Sequence, residues 1–499
     1  MTSRRVRSVR WALIPATLVL LAAVPFAWRA SFVLSAEPLK IGPETTYVTG
    51  PIKPDGSIDY PAALHERLSV DVKPEENAAI LIDRAFGPSV ISPELRSLYF
   101  SRIGAKPLPE QGDYVVTQTS FTQSKIKDAE NPSELNGTIL DELARATARP
   151  WTRADCPLAA EWLDANAAPL KLIEQASLRP KYYSPLVTKG GILEAESTVQ
   201  NLREAARLLA ARAMLRLGTN DFEGAWSDLL SCHRLARLAG QRPASLIYYL
   251  VAVALDAVAA GGDAALMGHG LSSNQARKCL ADHARLPAMS SLSEVIDHCE
   301  RLVALDGTQE TCKSSGLDVN TMLRRMNQTY DDLVATLKQD SHAGRTAAIA
   351  VIEAELAKRA AAARQPLSIV AGLVSGRAIA NSVSNTLLKL LMPAMLQANI
   401  AQSRTQVRSD LVRIGFALAA CRADLGAWPS SLTELVPKYL DELPVDRFTG
   451  QPLLYVPRTD GFLIYSAGPN GRDDAGQTRG PNMEDDIPLE VGHPREVAR

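Results

Sequence analysis

Apolar residues recur at spacings of three and four between Glu196 and Leu238, and this periodicity constrains the fold more than any other feature of the sequence. It places an apolar face on each of two helices. Gly218 is predicted to close the first helix in the left-handed conformation, and Asn220, with Glu223 three residues later, to cap the second. We therefore predict an antiparallel helical hairpin. Its apolar positions are Leu202, Ala205, Ala206, Leu209, Ala213, Leu217, Phe222, Ala225, Trp226, Leu229, Leu230 and Leu235.

This hairpin resembles one tetratricopeptide unit, because Leu217-Gly218, Phe222, Ala225 and Trp226 stand where such units pack their two helices. No second copy occurs at that period, and stacked repeats need about three units to bury a continuous core. A generic hairpin is therefore expected rather than a repeat array. Further helices are predicted at 246–260, 274–286, 291–305, 319–339 and 347–363, within an α-helical domain over 151–393.

The N-terminal segment is typical of a membrane-directed sequence. Residues 1–10 hold four arginines and no acid, and the eighteen residues 11–28 carry no charge. A helix of that length spans about 27 Å, close to the roughly 30 Å hydrocarbon core of a bilayer. Because basic flanks stay on the cytoplasmic side, we predict a cytoplasmic basic tail at 1–10, a transmembrane signal anchor at 11–28, and an extracytoplasmic chain from about residue 37.

A cleaved signal peptide is the alternative, with a small-residue site near Leu34-Ser35-Ala36. The apolar run is longer than the roughly 7 to 15 residues of an ordinary signal core, and Arg29 separates that core from the site. We favour the anchor. The predicted location is the cell inner membrane, crossed once, with the cytoplasmic membrane as a partner through residues 11–28. The later apolar run 246–260 is interrupted by Asp256 and is predicted to be a buried helix.

Composition excludes one class of partner. Lys and Arg number 54 against 55 Asp and Glu, which gives a formal net charge of -1. A nucleic-acid-binding protein shows a basic electrostatic footprint instead, so no nucleic acid is expected as a partner. Outside the cytoplasm the six cysteines permit disulfides without requiring them. Cys299 and Cys312 are the pair closest in sequence, and a disulfide between them could close a small loop around Gly307.

The sequence lacks the motifs of zinc peptidases, phosphate-binding loops and serine hydrolases. Cys279, His283, His298 and Cys299 have the donor types of a zinc site, but two adjacent helical residues point about 100° apart, and zinc is not expected. An acid within an apolar helix needs a partner. For Asp256 we predict a structural ion pair with one of the arginines of the hairpin, for example Arg207 or Arg212.

The last hundred residues change in character. An amphipathic helix is predicted over 394–425, with Gly426 ending it and a short helix following at 431–436. Two β-rich runs, 453–456 and 462–465, predict a hairpin. Residues 394–499 are therefore expected to form a small α+β module.

Short motifs follow one another in this module: Trp428-Pro429, Leu443-Pro444 with Asp446, Gly450, Tyr465-Ser466-x-Gly468-x-x-Gly471 and Asp485-Asp486-Ile487. This order resembles the C-terminal domain of the major pseudopilin of bacterial type II secretion. In that family the closing loop holds a calcium ion. By position, the resemblance implies calcium ligands at Ser466, Asp473, Asp474, Asp485 and Asp486. Calcium takes 6 to 8 oxygen ligands; the alternative is an acidic loop that is only solvated.

The whole chain also resembles planctomycete-type envelope proteins, on the run 443–474 and on Trp162-Leu163-x-x-Asn166 with Pro180-x-Tyr182-Tyr183. No activity follows from that resemblance. A filament subunit is not expected, since the membrane segment lies far before the helix that matches the pseudopilin.

The expected fold is mainly α. It has an N-terminal transmembrane helix, a mixed and partly irregular region at 37–150, an α-helical body with helical hairpins, and a small pseudopilin-like α+β module. We expect a membrane-anchored extracytoplasmic binding or structural protein of the bacterial cell envelope, whose body binds another envelope protein. The alternative is an extracytoplasmic hydrolase acting on glycan or peptide, which would show two facing carboxylates about 5 to 10 Å apart in a polar cleft.

Overall fold

A computed structural model of the chain describes residues 37–362, 376–478 and 485–492. The predicted tail and transmembrane segment, 1–10 and 11–28, lie outside the described residues. The described part is mainly helical with one small sheet, as predicted. Its α-helices are α1 Tyr60–Ser69, α2 Ala78–Phe86, α3 Pro93–Arg102, α4 Gln118–Ile126, α5 Pro132–Ala148, α6 Pro157–Ala165, α7 Ala167–Ser177, α8 Asn201–Gly218, α9 Phe222–Gln241, α10 Leu246–Gly268, α11 Ser273–Ala284, α12 Leu292–Val295, α13 Arg301–Ser315, α14 Val319–Leu337, α15 His342–Ala362 and α16 Gly376–Leu425.

Shorter helical turns complete these elements. Single 3₁₀ turns occupy Pro74–Glu76, Ile192–Glu194 and Leu432–Leu435. A π turn, Ile296–Glu300, joins α12 to α13 into one continuous helix.

The predicted hairpin is formed by α8 and α9, but its turn differs from the predicted one. Asn220 adopts the left-handed conformation, with φ of 61°, and Asp221 caps α9 by accepting a hydrogen bond from the Gly224 amide. Gly218 serves a different purpose. A Cβ at this position would overlap the carbonyl oxygen of Trp151, so the close approach of that backbone, and not the turn, requires the glycine.

Helix α10 lies at the centre of the helical body, against α8, α9 and α16. Among the described helices it alone is long and apolar enough to cross a membrane, with a mean hydropathy of 1.7 over its best window. In this molecule 61% of that window is buried. The packing agrees with the prediction of a buried helix.

Helix α16 connects the helical body to the sheet. It begins well before the predicted residue 394, includes Pro393, and ends at Gly426, which takes a positive φ of 80°. It packs against α10, α11, α14 and α15 and against strands β2 and β3 of the sheet. One hydrophobic cluster runs from Ile58 to Val491, so residues 37–150 share the core of the other two predicted domains.

The sheet has three antiparallel strands in the order β1-β2-β3: β1 Leu454–Pro457, β2 Phe462–Ser466 and β3 Ile487–Val491. Strands β1 and β2 are the predicted hairpin. Strand β3 was not predicted, and it pairs Val491 with Phe462 and Ile487 with Ser466. A Cβ at Gly461 would overlap the carbonyl of Val491, so this glycine allows β3 to close on the hairpin.

The contact at Gly218 makes a testable prediction. We expect Gly218→Ala to lower the free energy of unfolding by about 2 kcal/mol or more, because a methyl group must displace the Trp151 backbone. The matched control is Gly137→Ala, at an exposed position of α5 where a Cβ meets nothing within 4 Å. That change should stabilise by about 0.5 to 1 kcal/mol through helix propensity. Urea unfolding measures both, and equal effects would contradict the assignment.

Candidate functional site

The C-terminal module is organised around Asp446, whose carboxylate is 2% exposed. It accepts hydrogen bonds from the Ser466 hydroxyl at 2.8 Å and from the amides of Phe448 and Ala467 at 2.9 and 3.0 Å. The Ser466 oxygen also accepts from the Gly468 amide at 3.0 Å. The predicted calcium ligand Ser466 therefore holds the end of β2 against the preceding turn.

The predicted acidic ligands lie in the loop after β2. Asp473 Oδ1 accepts from the Tyr465 hydroxyl and the Ala475 amide, and Asp474 Oδ2 accepts from the Asn470 amide group. Asp486 is only 1% exposed. Its Oδ2 accepts from the amides of Gly476 and Asp474 at 2.7 and 3.0 Å, which ties the start of β3 to this loop.

Asp486 Oδ1 is buried and has no hydrogen-bond partner among the described residues. Burial raises the pKa of Asp486, the backbone amides of Gly476 and Asp474 oppose this, and the nearby carboxylates of Asp474 and Asp473 raise it further. The structure thus brings Asp473, Asp474 and Asp486 close to one another. The described ranges contain no group of three or more His, Cys, Asp or Glu side chains arranged around a metal position.

Asp485 is half-buried next to Asp486. Its backbone lies against Gly468, where a Cβ would overlap the Asp485 carbonyl oxygen. Gly468 also has a positive φ of 63°. Of the segment between the two acidic clusters, 479–484 falls outside the described residues.

The suggested disulfide between Cys299 and Cys312 is not formed, since both are free thiols. The physical reason is the continuous helix that carries them. At 1.5 Å per residue the two Cα atoms are about 20 Å apart along the axis, whereas a disulfide needs about 4.4 to 6.8 Å. Cys312 Sγ instead contacts the sulfur of Met322 at 3.3 Å.

The four residues considered for zinc are not brought together. The ring of His283 packs edge-on against His233, with centroids 5.2 Å apart. His298 instead lies on the π turn with its side chain 56% exposed.

A buried charge network joins α9 to α10. His233 Nδ1 lies 2.9 Å from Asp256 Oδ1, and its Nε2 lies 2.9 Å from Asp263 Oδ2. Arg237 contacts the same Asp256 carboxylate at 3.2 Å. The predicted ion pair of Asp256 with an arginine of the hairpin is therefore confirmed, since Arg237 belongs to α9, although neither of the two arginines given as examples is the partner. Arg212 is committed to Asp228 at 2.5 Å, on the side of α9 that faces α8.

Burial disfavours the charged form of His233, but Asp263 and Asp256 outweigh it and raise the pKa of His233 to about 9. The imidazole is then a cation between two carboxylates at neutral pH. All three side chains are nearly inaccessible to solvent. The network therefore stabilises the helix pair rather than presenting a reactive group.

A surface cleft of about 620 Å³ lies between α2, α3 and the loop that follows α3. We call it the basic cleft. Its walls combine apolar and polar side chains, and the charged ones among the described residues are three cations and one acid. The apolar residues are Ile80, Leu81, Phe100, Ile103 and Leu108, and the charged ones are Arg84, Lys106, Arg179 and Glu75.

None of the three cations of the basic cleft makes an ion pair or side-chain hydrogen bond with another described residue. Arg84 comes from α2, Lys106 from the loop after α3, and Arg179 from the segment after α7. Gly104, with φ of 71°, lines the same cleft, and a Cβ there would lie 2.7 Å from Pro74 Cγ. Sequence reasoning missed this site because its members are far apart along the chain and form no motif.

Comparisons with protein-family models, curated proteins and solved structures found no match for this chain. The resemblance to the pseudopilin module therefore remains a prediction.

The charge network predicts a pH dependence of stability. The pKa of His233 rises from 6.5 to about 9 on folding. Its stabilisation is therefore fully present below pH 6.5 and lost as the pH rises through 9, amounting to roughly 3 kcal/mol. Asp83, whose pKa burial raises to about 7, contributes a slope of the same sign at the lower end of this interval, so the upper end reports on His233.

Urea unfolding between pH 7 and 9 measures the effect. His233→Gln should flatten the dependence in that interval, whereas His269→Gln, at an exposed histidine, should leave it unchanged. The same slope in both variants would show that other groups cause it.

Proposed function

We propose that this chain is a membrane-tethered extracytoplasmic binding protein of the bacterial cell envelope. An acidic, apolar segment of another envelope protein binds in the basic cleft, which lies mostly in the region 37–150 and takes Arg179 from the helical body. The observation that carries the proposal is the convergence of Arg84, Lys106 and Arg179, all without carboxylate partners in the described structure, around an apolar floor. Residues 11–28 serve as the anchor in the inner membrane.

The chemistry of the cleft favours such a segment. Cations held near one another without counter-ions attract an anion, and Glu75 is the only acid among the described residues that line the cleft. An apolar floor rewards a ligand that also buries aliphatic surface. The volume of about 620 Å³ lies within the roughly 300 to 1,000 Å³ of ligand pockets, which suits a few side chains of a docked peptide.

A hydrolase is less well supported by the same cleft. Glycoside hydrolysis uses two carboxylates that face each other across the scissile bond, and this cleft has one. We therefore favour a binding function over hydrolysis.

We also propose that the C-terminal loop holds calcium. The unpartnered Oδ1 of buried Asp486, beside the carboxylates of Asp473 and Asp474, offers the hard oxygen donors that calcium prefers. Asp485 is the remaining acidic candidate. Ser466 is committed to Asp446 through its hydroxyl and would act by positioning the loop. A bound ion would offset the repulsion among these acids and stabilise the connection between β2 and β3.

The cleft and its location can be tested together, because all six native cysteines are buried. Glu75→Cys introduces one exposed thiol in the cleft, and Glu130→Cys introduces one at an exposed position elsewhere. A membrane-impermeant maleimide carrying a photoreactive group is added to intact spheroplasts. We expect both variants to be labelled from outside, and only Glu75→Cys to give a discrete crosslinked product after illumination.

Charge reversal provides the control. Adding Arg84→Glu with Arg179→Glu should abolish the product through repulsion of an acidic partner, whereas Lys127→Glu with Arg149→Glu, at exposed cations outside the cleft, should preserve it. Labelling only after lysis would contradict the location. A product that forms equally from Glu130→Cys, or that survives reversal in the cleft, would contradict the binding site.

Calcium binding is tested by thermal unfolding of the full-length chain. Calcium at about 100 times its dissociation constant should raise the free energy of unfolding by about 2.7 kcal/mol, and magnesium should do less because it is reluctant to dehydrate. Asp486→Asn should remove the calcium-induced rise in Tm, whereas Asp441→Asn, at an exposed acid, should retain it. An unchanged Tm with calcium would mean that the loop is only solvated.

A further inference from the structure

A second cavity, of about 320 Å³, opens where the end of α1, the link between α9 and α10, and the π turn meet. We call it the arginine pocket. Three basic side chains from these three elements line it, Arg67, Arg242 and His298. It shares no lining residue with the basic cleft, so an inference about it does not rest on the function proposed above.

Both arginines are held in place by backbone carbonyl groups. Arg67 Nη1 donates to the His298 carbonyl at 2.6 Å, and Arg242 Nη1 donates to the Val70 carbonyl at 2.9 Å. Each bond uses one N–H of a guanidinium that has five. The remaining N–H groups are free to bind a ligand, and the side chains lose less conformational entropy when they do so.

Two carboxylates lie at or beside this pocket, and both are held by other partners. Neither arginine makes an ion pair with another described residue. Glu294 lines the pocket, but its Oε2 accepts from the amide and hydroxyl of Ser291 and so caps α12. Asp297 Oδ2 lies 3.9 Å from His298 Nε2, and its Oδ1 is occupied by Arg301 and Tyr47.

The backbone at this pocket is unusual. Residues 296–300 form the π turn between α12 and α13, and such turns are rare and are found frequently at functional sites. The turn carries both His298 and the carbonyl that orients Arg67. Positioning of the arginine and the histidine thus depends on one local distortion of the helix.

We infer that the arginine pocket binds the dianionic phosphate group of a small phosphomonoester. Guanidinium groups bind phosphate through paired N–H···O bonds, and two of them with an imidazole match the charge and the several acceptor oxygens of that group. Leu68, Val70 and Val295 line the same cavity and offer an apolar surface to the organic part. The occupant is small, because the cavity has about half the volume of the basic cleft.

The pocket binds without covalent chemistry. Cys299 is its one lining residue with a nucleophilic thiol, and it is 3% exposed. Burial raises the pKa of the Cys299 thiol to about 12, against a small opposing effect of Arg67. The thiol is therefore neutral and poorly nucleophilic at physiological pH.

The test is a titration of the full-length chain with inorganic phosphate, glycerol 3-phosphate and dihexanoyl phosphatidic acid, followed by calorimetry and by the shift in Tm. We expect all three to bind, and acetate not to bind. Tighter binding of the phosphatidic acid would identify a lipid headgroup as the source of the phosphate, and equal or tighter binding of glycerol 3-phosphate would identify a free phosphomonoester.

Variants locate the site. Arg242→Gln should weaken the binding of glycerol 3-phosphate about tenfold or more, and Arg242→Lys should weaken it less, since it keeps the charge. Because Arg242 also binds the Val70 carbonyl, His298→Gln serves as a second variant whose exposed side chain makes no short contact within the described structure. Arg149→Gln is the control. Failure of inorganic phosphate to bind, binding of acetate with similar affinity, or unchanged affinity in both Arg242→Gln and His298→Gln would overturn the inference.

Discussion

The buried ion cluster between α9 and α10 is the constraint on which the rest of the helical body depends. His233 lies between Asp256 and Asp263, and Arg237 contacts the first of these acids. Buried charges are tolerated only when they are paired and hydrogen-bonded, so the two helices can pack in one register only. Helix α10 then offers its remaining surface to α8 and α16, and α16 carries the sheet. The apolar core supplies most of the stability, and the ion cluster specifies the arrangement.

The two cavities differ from the buried ion cluster in how their charges are paired. The His233 cluster in the core pairs its cations with carboxylates, whereas the lysine and the arginines of the basic cleft and the arginine pocket make no ion pair with another described residue. Leaving such groups unpaired costs little while water solvates them and becomes favourable when an anion binds. This contrast between a paired ion cluster in the core and unpaired cations in two concave surfaces is the physical basis for a binding role. Both surfaces depend on backbone geometry, at Gly104 in the cleft and at the π turn in the pocket.

Several elements could be predicted locally, and others could not. Helix α5 follows from Pro132 after an Asn cap and from its apolar spacing, and the hairpin β1–β2 from alternating β-branched and aromatic residues around Asp460-Gly461. Strand β3 is as long as β2 but contains Pro488, which argues against a strand in sequence, and its pairing with β2 is the interaction that stabilises it. The role of Gly218 was misassigned for a similar reason, since the atom that requires a glycine belongs to Trp151, more than sixty residues away in the chain.

By itself, the sequence determined the helical class of this protein, the position of most helices, the α+β character of its last hundred residues and the acids of the C-terminal loop, because periodicity, caps and turns act over a few residues. Tertiary structure alone decided which charges are neutralised and which remain free. The sequence predicted a hairpin arginine as the partner of Asp256, but only the packing decided that it is Arg237 and that His233 joins it. No local pattern brings Arg84, Lys106 and Arg179 together. Electrostatic interactions depend on distance in space, and that distance is set by the packing of the whole core.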